Sequence, residues 1–285
     1  MYIVVTLGYL RHYLTLVSCF GSQTDISLLQ YLEQIEEGLI SSIDTFVNEG
    51  ILNQIGPIIS FGERNITKLS CLSSLLLCFT LTQYFCLEAH DLIEEEVYNS
   101  MTMADKRSLH LKLGEYLGSR ASQLQLRGLE FFGGMSITSS LISIACDQIN
   151  SCAEIITDQG KKIEYAGWNL SAASQQSNAR VALHYCMKGL GFLGDNRWHL
   201  DLRQLCSKLY NGAILASFAL GKPVSVSNLV TEVEENSTFE TSLEIMPVMF
   251  KSWFQLGKHE ECIRKGIGIL RKLRFDFPLD PTPER

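Results

Sequence analysis

From residue 102 onward, apolar side chains recur every three or four positions, and the runs are broken by glycine, proline or polar clusters. That period puts the apolar residues on one face of an α-helix and excludes a sheet for the larger part of the chain. Leu109, Leu113 and Leu117 form one stripe, and Leu141, Ile144, Ala145 and Ile149 a second. Thr157 or Asp158 can cap a helix carrying Ile163, Ala166, Leu170 and Ala173. After the polar break at Gln175-Gln-Ser-Asn178 come Val181, Leu183, Met187, Leu190 and Leu193, ending at Gly194. Trp198, Leu202, Leu205, Leu209, Ala213 and Ala216 follow, and Gly221-Lys-Pro223 stops that run. A helix over residues 226–233 precedes a long apolar stretch over 239–256.

The last pair carries the most information. Phe254-Gln-Leu-Gly257-Lys-His-Glu-Glu-Cys-Ile263 reads as a helix end, a glycine and an acidic start to the next apolar helix. Glycine permits the tight reversal, and the Glu pair favours the positive end of the following helix. This is the turn of tetratricopeptide-like hairpins, which cannot bury their apolar faces singly and therefore stack into an array. Residues 102–285 are expected to form that helical repeat region.

Residues 1–101 read differently. Two short amphipathic helices are expected over 25–35, with Asp25 or Thr24 as N-cap, and over 39–49, stopped by Gly50. An extended run at 51–55 ends at Gly56-Pro57, a second at 84–88 follows, and a helix is expected from Ala89 to Ser100. Helix, helix, strand, strand, helix is the order of a winged-helix unit. The fold class expected for the chain is therefore mainly α, a winged-helix-like N-terminal unit followed by a hairpin array. Residues 57–83 fit this plan badly, because a Leu/Ser/Cys segment without clear period stands where a short turn would suffice. They read as an atypical apolar insertion or as a translated artefact of an imperfect gene model, the second being preferred.

A chain of 285 residues can bury a sizeable core. The net charge of −7 gives no overall electrostatic footprint for nucleic acid or an anionic membrane. The nine cysteines are odd in number, form no CxxC pair and mostly sit among apolar residues, so they read as small buried residues of a reduced, cytoplasmic protein. Residues 1–10 lack the basic start and cleavage site of a signal peptide. The apolar run 69–81 is thirteen residues long, whereas a bilayer span needs about twenty. Neither a membrane nor a nucleic-acid partner is expected.

Three groups of segments, taken in order, resemble a known family. They are Val17-Ser-Cys-Phe-Gly-Ser-Gln-Thr-Asp25 with Val47-Asn-Glu-Gly-Ile-Leu52; Ala89-His-Asp-Leu-Ile-Glu-Glu-Glu-Val-Tyr98 with Lys106-Arg-Ser-Leu-His-Leu-Lys-Leu-Gly114; and Ala145-Cys-Asp-Gln-Ile-Asn150, Ile156-Thr-Asp158, Glu164-Tyr-Ala-Gly-Trp-Asn-Leu170 and Tyr185-Cys-Met-Lys-Gly-Leu190. Over residues 10–56 and 84–285 their order and spacing are similar to the region after the nucleotide-binding core of large AAA/STAND signal-transduction ATPases, which are often fused to kinase or cyclase modules. The resemblance implies a regulatory and protein-interaction segment, with protein partners on the helical array and an ATPase core in cis. The alternative is a truncated gene model of an ATP-hydrolysing signalling enzyme.

The phosphate-binding loop of such a core needs GxxxxGK followed by Ser or Thr. Lysine follows glycine at Gly160-Lys161, Gly221-Lys222 and Gly257-Lys258, but the next residues are Lys162, Pro223 and His259. No cofactor is therefore expected for this chain, although ATP or ADP belongs to the complete family architecture, and no catalytic residue is assigned. The resemblance does imply one nucleotide-sensing pair, His90 and Asp91, whose imidazole would donate to a phosphate oxygen once a core is present. The plainer reading is a helix start, with Asp91 favouring the helix dipole. DNA binding is not expected, because the presumed recognition helix at 39–49 holds Asp44 and Glu49 but no Lys or Arg. The six histidines show no HExxH or other metal-ligand spacing. Trp168, Trp198 and Trp253 read as packing anchors of the hairpins.

Overall fold

In a computed structural model of the chain, the described residues are 12–20, 23–34, 36–49, 52–55, 58–61, 97–126, 137–243 and 245–275. The protein is mainly helical. It divides into two compact units, Met1–Leu113 and Gly114–Arg285. The division falls inside a long helix, Met103–Leu126.

In the first unit a helix over residues 12–18 (α1) leads to a short strand, Gln23–Asp25 (β1). Two helices follow, Ile26–Leu32 (α2) and Leu39–Glu49 (α3), and then two strands, Leu52–Ile55 (β2) and Ile58–Phe61 (β3). The strands form one antiparallel sheet in the order β1-β3-β2, with Asp25 opposite Ile58, and Leu52 opposite Phe61. The apolar spacing of the helices explains their packing: Leu16 and Val17, then Leu28, Leu29 and Leu32, then Leu39, Ile43 and Phe46 all face one core, closed by Leu52 and Ile59. Each such side chain stabilises by about 1.5–3 kcal/mol when fully buried. The connection from α2 to α3 is held by Glu33, whose carboxylate accepts from the amides of Gly38 (2.8 Å) and Ile40 (2.7 Å). Gly38 has φ +88°, a conformation that a residue with a Cβ rarely adopts.

Three expectations change here. Residues 23–25 are a strand, and Thr24 does not cap α2: its Oγ1 is buried with no hydrogen-bond partner. The helix expected over 25–35 is confined to Ile26–Leu32. Most important, the strand that pairs with β2 begins at Ile58, inside the segment read as an insertion. The Gly56-Pro57 pair is a turn signal in the sequence that favours a strand directly after it. The rest of that segment, residues 62–83, and the run 84–88 lie outside the described residues.

The second unit is built of successive helices: Met103–Leu126 (α4, whose residues from Gly114 belong here), Ile137–Ser151 (α5), Gln159–Ser174 (α6), Ala179–Leu193 (α7), Arg203–Ala219 (α8), Pro223–Asn236 (α9), Phe239–Leu243 (α10), Met246–Gln255 (α11) and His259–Lys272 (α12). From α5 to α9 each helix packs on the next, α6 also meets α8, and α11 packs on both α9 and α12. The starts and stops follow the sequence signals. Asp158 caps α6 by accepting from the Lys161 amide (2.7 Å), and Asn178 caps α7 through the Arg180 amide (2.9 Å). Pro223 and Pro247 stand in the first turns of α9 and α11, where a missing N–H costs nothing. Gly257 takes φ +71° at the turn between α11 and α12.

Side chains tie the hairpins together at three similar places. The hydroxyl of Tyr165 donates to Glu115 (2.7 Å), that of Tyr185 to Asp147 (2.9 Å), and that of Tyr210 to Glu232. In each case a buried ring supplies apolar area while its hydroxyl reaches a carboxylate on another helix. The tryptophans anchor the packing as expected: Trp168 lies against the backbone of Gly118, and Trp198 stacks on Tyr210 with ring centres 5.1 Å apart.

Candidate functional site

His90 and Asp91, the pair assigned to nucleotide sensing, lie outside the described residues. The three lysines that follow glycine all stand at helix starts. Lys161 is in the first turn of α6 and its ammonium bonds Glu115, while Lys222 and Lys258 are the N-cap residues of α9 and α12. None follows a strand, which a phosphate-binding loop requires.

The exposed side of α3, where a DNA-reading helix would carry its cations, presents Ser41, Asp44, Thr45 and Asn48. Phosphate contacts need Lys or Arg, and α3 contains neither. Three of the described histidines serve local contacts: His110 is buried and bonded to the Tyr98 hydroxyl (2.7 Å), His12 meets Glu36 (3.1 Å), and His259 lies edge-on to Phe254. His184 is exposed. Among the described residues no group of three or more His, Cys, Asp or Glu could hold a metal ion, and no helix is long and apolar enough to cross a membrane.

Most of the described cysteines behave as core residues. Cys19, Cys146, Cys152, Cys186 and Cys206 are buried thiols, whereas Cys262 is half-buried. Burial pushes the thiols up, Cys186 and Cys152 to about 11 and Cys19 and Cys206 to about 12. A thiol so far from ionisation at neutral pH is a poor nucleophile.

A concavity lies between α9, α10, α11 and α12. It measures about 470 Å³ and is lined by Phe239, Met246, Trp253 and Ile269 on its apolar side. Its polar lining comes mainly from α12, as Glu261, Arg264, Lys265 and Lys272, with Glu234 contributed by α9. Lys265 is paired with Glu234 (2.8 Å), which fixes α12 against α9. Lys272 sits over the Phe239 ring, 5.1 Å from its centre, a cation–π contact worth about 0.5–1 kcal/mol at an exposed site. Gly268 opens the wall: a Cβ built there meets nothing within 4 Å.

The remaining surface of α12 is weakly covered. The helix is strongly amphipathic in sequence, yet none of its residues is buried. Ile263 is 64% exposed, and Phe254 and Phe275 nearby are 66% and 64% exposed.

Of this lining the sequence pattern marked Trp253, as a packing anchor, and Glu261, as part of an acidic helix start, and neither as a binding residue. A usable signal was present in the local charge. Seven of the chain's 24 Lys and Arg fall within residues 246–275, against two of its 31 Asp and Glu, so a positive segment sits in an otherwise acidic chain.

No family model, curated protein or solved structure matches the chain.

Proposed function

We propose that this chain is a regulatory, protein-interaction segment of a STAND/AAA-type signalling ATPase, with a winged-helix unit followed by a tetratricopeptide-like hairpin array and without the ATP-binding loop of the core. The observation that carries the reading is the order of the N-terminal elements. Helix, strand, two helices and two strands, with the sheet ordered β1-β3-β2, supports a winged-helix reading of this unit. Together with the helices that follow, it supports the family resemblance of the sequence segments.

In this reading the winged helix covers the nucleotide site of a core supplied in cis, and His90 contacts a phosphate there with Asp91 beside it. The cation-free α3 supports a protein-facing role over a DNA-reading one. The helical array offers the partner surface, since stacked hairpins generate an extended concave face. The chain itself is assigned no catalytic step.

The second reading is a truncated model of an ATP-hydrolysing signalling enzyme. It is favoured by the same segments, because in the resembling family they follow an ATPase core. Isothermal calorimetry separates the two for the chain as it stands. The interaction-segment reading expects no binding of ATP or ADP, and micromolar affinity would overturn it. The genomic sequence upstream of Met1 supplies the other arm: an in-frame GxxxxGK[ST] motif supports the truncated enzyme, and a stop codon there sinks it. With such a core joined, His90→Ala is expected to weaken nucleotide retention.

A further inference from the structure

We infer that the groove between α9 and α12 binds an extended acidic peptide in which carboxylates alternate with aromatic or aliphatic side chains. The inference deepens the interaction-segment reading by naming the chemistry of a partner, and it rests on that reading only for the use of the array as a binding surface.

Charge complementarity argues for the occupant. Residues 246–275 are the cationic part of an acidic chain. In the groove Lys265 is neutralised by Glu234, whereas no carboxylate lies within ion-pair distance of Arg264 or Lys272 among the described residues. Both side chains are exposed on the helix that forms the rim. Phe239, Met246, Trp253 and Ile269 supply the groove's apolar lining. Cations beside an apolar lining suit a peptide in which acidic and apolar side chains alternate, as on the two faces of an extended strand.

The same lining disfavours the other polyanions. Glu234 and Glu261 share the groove with the cations. A nucleic-acid backbone or an anionic lipid surface presents charge at every step and would bring some of it against these carboxylates. A peptide can place its acids opposite Arg264 and Lys272 and leave neutral groups opposite Glu261.

The position of Gly268 allows a test that does not depend on charge. Because a Cβ there meets nothing and Gly268 lines the groove, Gly268→Leu adds apolar bulk to the groove wall starting from an unobstructed position. It also replaces a poor helix former with a good one, so the helix should not be weakened.

The experiment is fluorescence anisotropy with the full chain and a short fluorescein-labelled peptide in which Glu alternates with Phe and Leu. Saturable binding that weakens with salt is expected, as is an enhancement or quenching of Trp253 emission that is lost in Trp253→Phe. Arg264→Glu and Lys272→Glu should each weaken binding about tenfold or more, equal to about 1.4 kcal/mol. Gly268→Leu should abolish it while leaving the thermal melt unchanged or raised. Lys188→Glu, on exposed α7 surface, should change binding less than twofold. Equal binding of the analogue with Lys in place of Glu would overturn the inference. So would failure of the acidic peptide to bind, insensitivity to Gly268→Leu, or tighter binding of duplex DNA or of phosphatidylserine vesicles at the same groove. The assay contains no nucleotide, so ATP binding by the chain would sink the function proposed above and leave this result intact.

Discussion

Asn150 on α5 and Asn169 on α6 exchange two side-chain hydrogen bonds, of 2.9 and 3.2 Å, and Asn169 has no exposed surface. Asn169 makes a third bond, to the Tyr165 carbonyl (2.9 Å). An amide pair in an apolar interface has only one alignment in which both members are satisfied, so it fixes how the two helices slide against each other.

Truncating one partner therefore leaves the other buried and unpaired. Asn169→Leu and Asn150→Leu are each expected to destabilise by about 1–3 kcal/mol. The double variant should cost less than their sum, with a coupling of about 0.5–3 kcal/mol. Urea titrations of the four proteins measure this, and strict additivity would show that the pair is not energetically coupled.

Two glycines in helices should respond in opposite directions. A Cβ on Gly118 would lie 2.3 Å from the Trp168 ring, so Gly118→Ala overpacks the α4–α6 contact and is expected to cost about 1–3 kcal/mol. A Cβ on Gly167 meets nothing, and Gly167→Ala should stabilise by about 0.5–1 kcal/mol through helix propensity. Thermal melts of the two variants should move to either side of the parent.

Much of this fold could be read from the spacing of apolar residues, because helix starts and stops depend on local chemistry. Asp158, Gly194, Gly221, Pro223 and Gly257 all act where the residues indicated. The buried faces were harder. In α7 the core residues are Tyr185, Cys186, Gly189, Leu190, Phe192 and Leu193, while Met187, expected inside, is 48% exposed. In α6 Ile163 and Leu170 are only half-buried, and Tyr165, Trp168 and Asn169 take the core. A helix inside an array is covered from two sides, so its buried face is wider than one stripe and admits polar residues that find partners. Asn169 could not be recognised as core without knowing that Asn150 stands opposite. The stretch over 239–256 reads as one apolar run, yet it forms α10 and α11 as separate helices. The groove was invisible for a related reason: its lining comes from four helices, and only the charge of residues 246–275 hints at it.

The clasp of Glu115, Lys161 and Tyr165 gives stability a defined pH window. Burial of the Glu115 carboxyl raises its pKa, but the bonds from Lys161 and Tyr165, with the lysine's charge, outweigh this and hold it below the ordinary value of 4.5. The bond to Glu115 raises Lys161 above 10.5. A lowered carboxyl contributes stability above 4.5 that is lost as pH falls through its folded value, and a raised lysine contributes below 10.5 what is lost as pH rises through its folded value. The full contribution is therefore present between those limits. Glu115→Gln should lower stability at pH 7 and flatten the acid limb below 4.5, measured as urea midpoints against pH.

Buried thiols should resist alkylation until the chain opens. With Cys186 held at about 11 and Cys206 at about 12, their peptides are expected to stay unmodified by iodoacetamide at pH 8 in the native protein and to label fully in urea. Peptide-level mass spectrometry reads each site. Native labelling of Cys206 at the rate of Cys262 would contradict the packing described for α8.

Because no residue of α12 is buried, this helix is secured by little apolar area, and its opening free energy must be small compared with that of α6 or α8. A helix held so weakly opens locally without unfolding the helices it packs on. Amide exchange should therefore be faster in α12 than in α6 or around the Asn150–Asn169 pair. The groove inherits this property, since α12 supplies most of its polar lining. Whatever occupies it binds only the closed helix and suppresses opening by mass action. α12 thus couples occupancy to local melting, and protection of its amides provides a direct readout of ligand engagement.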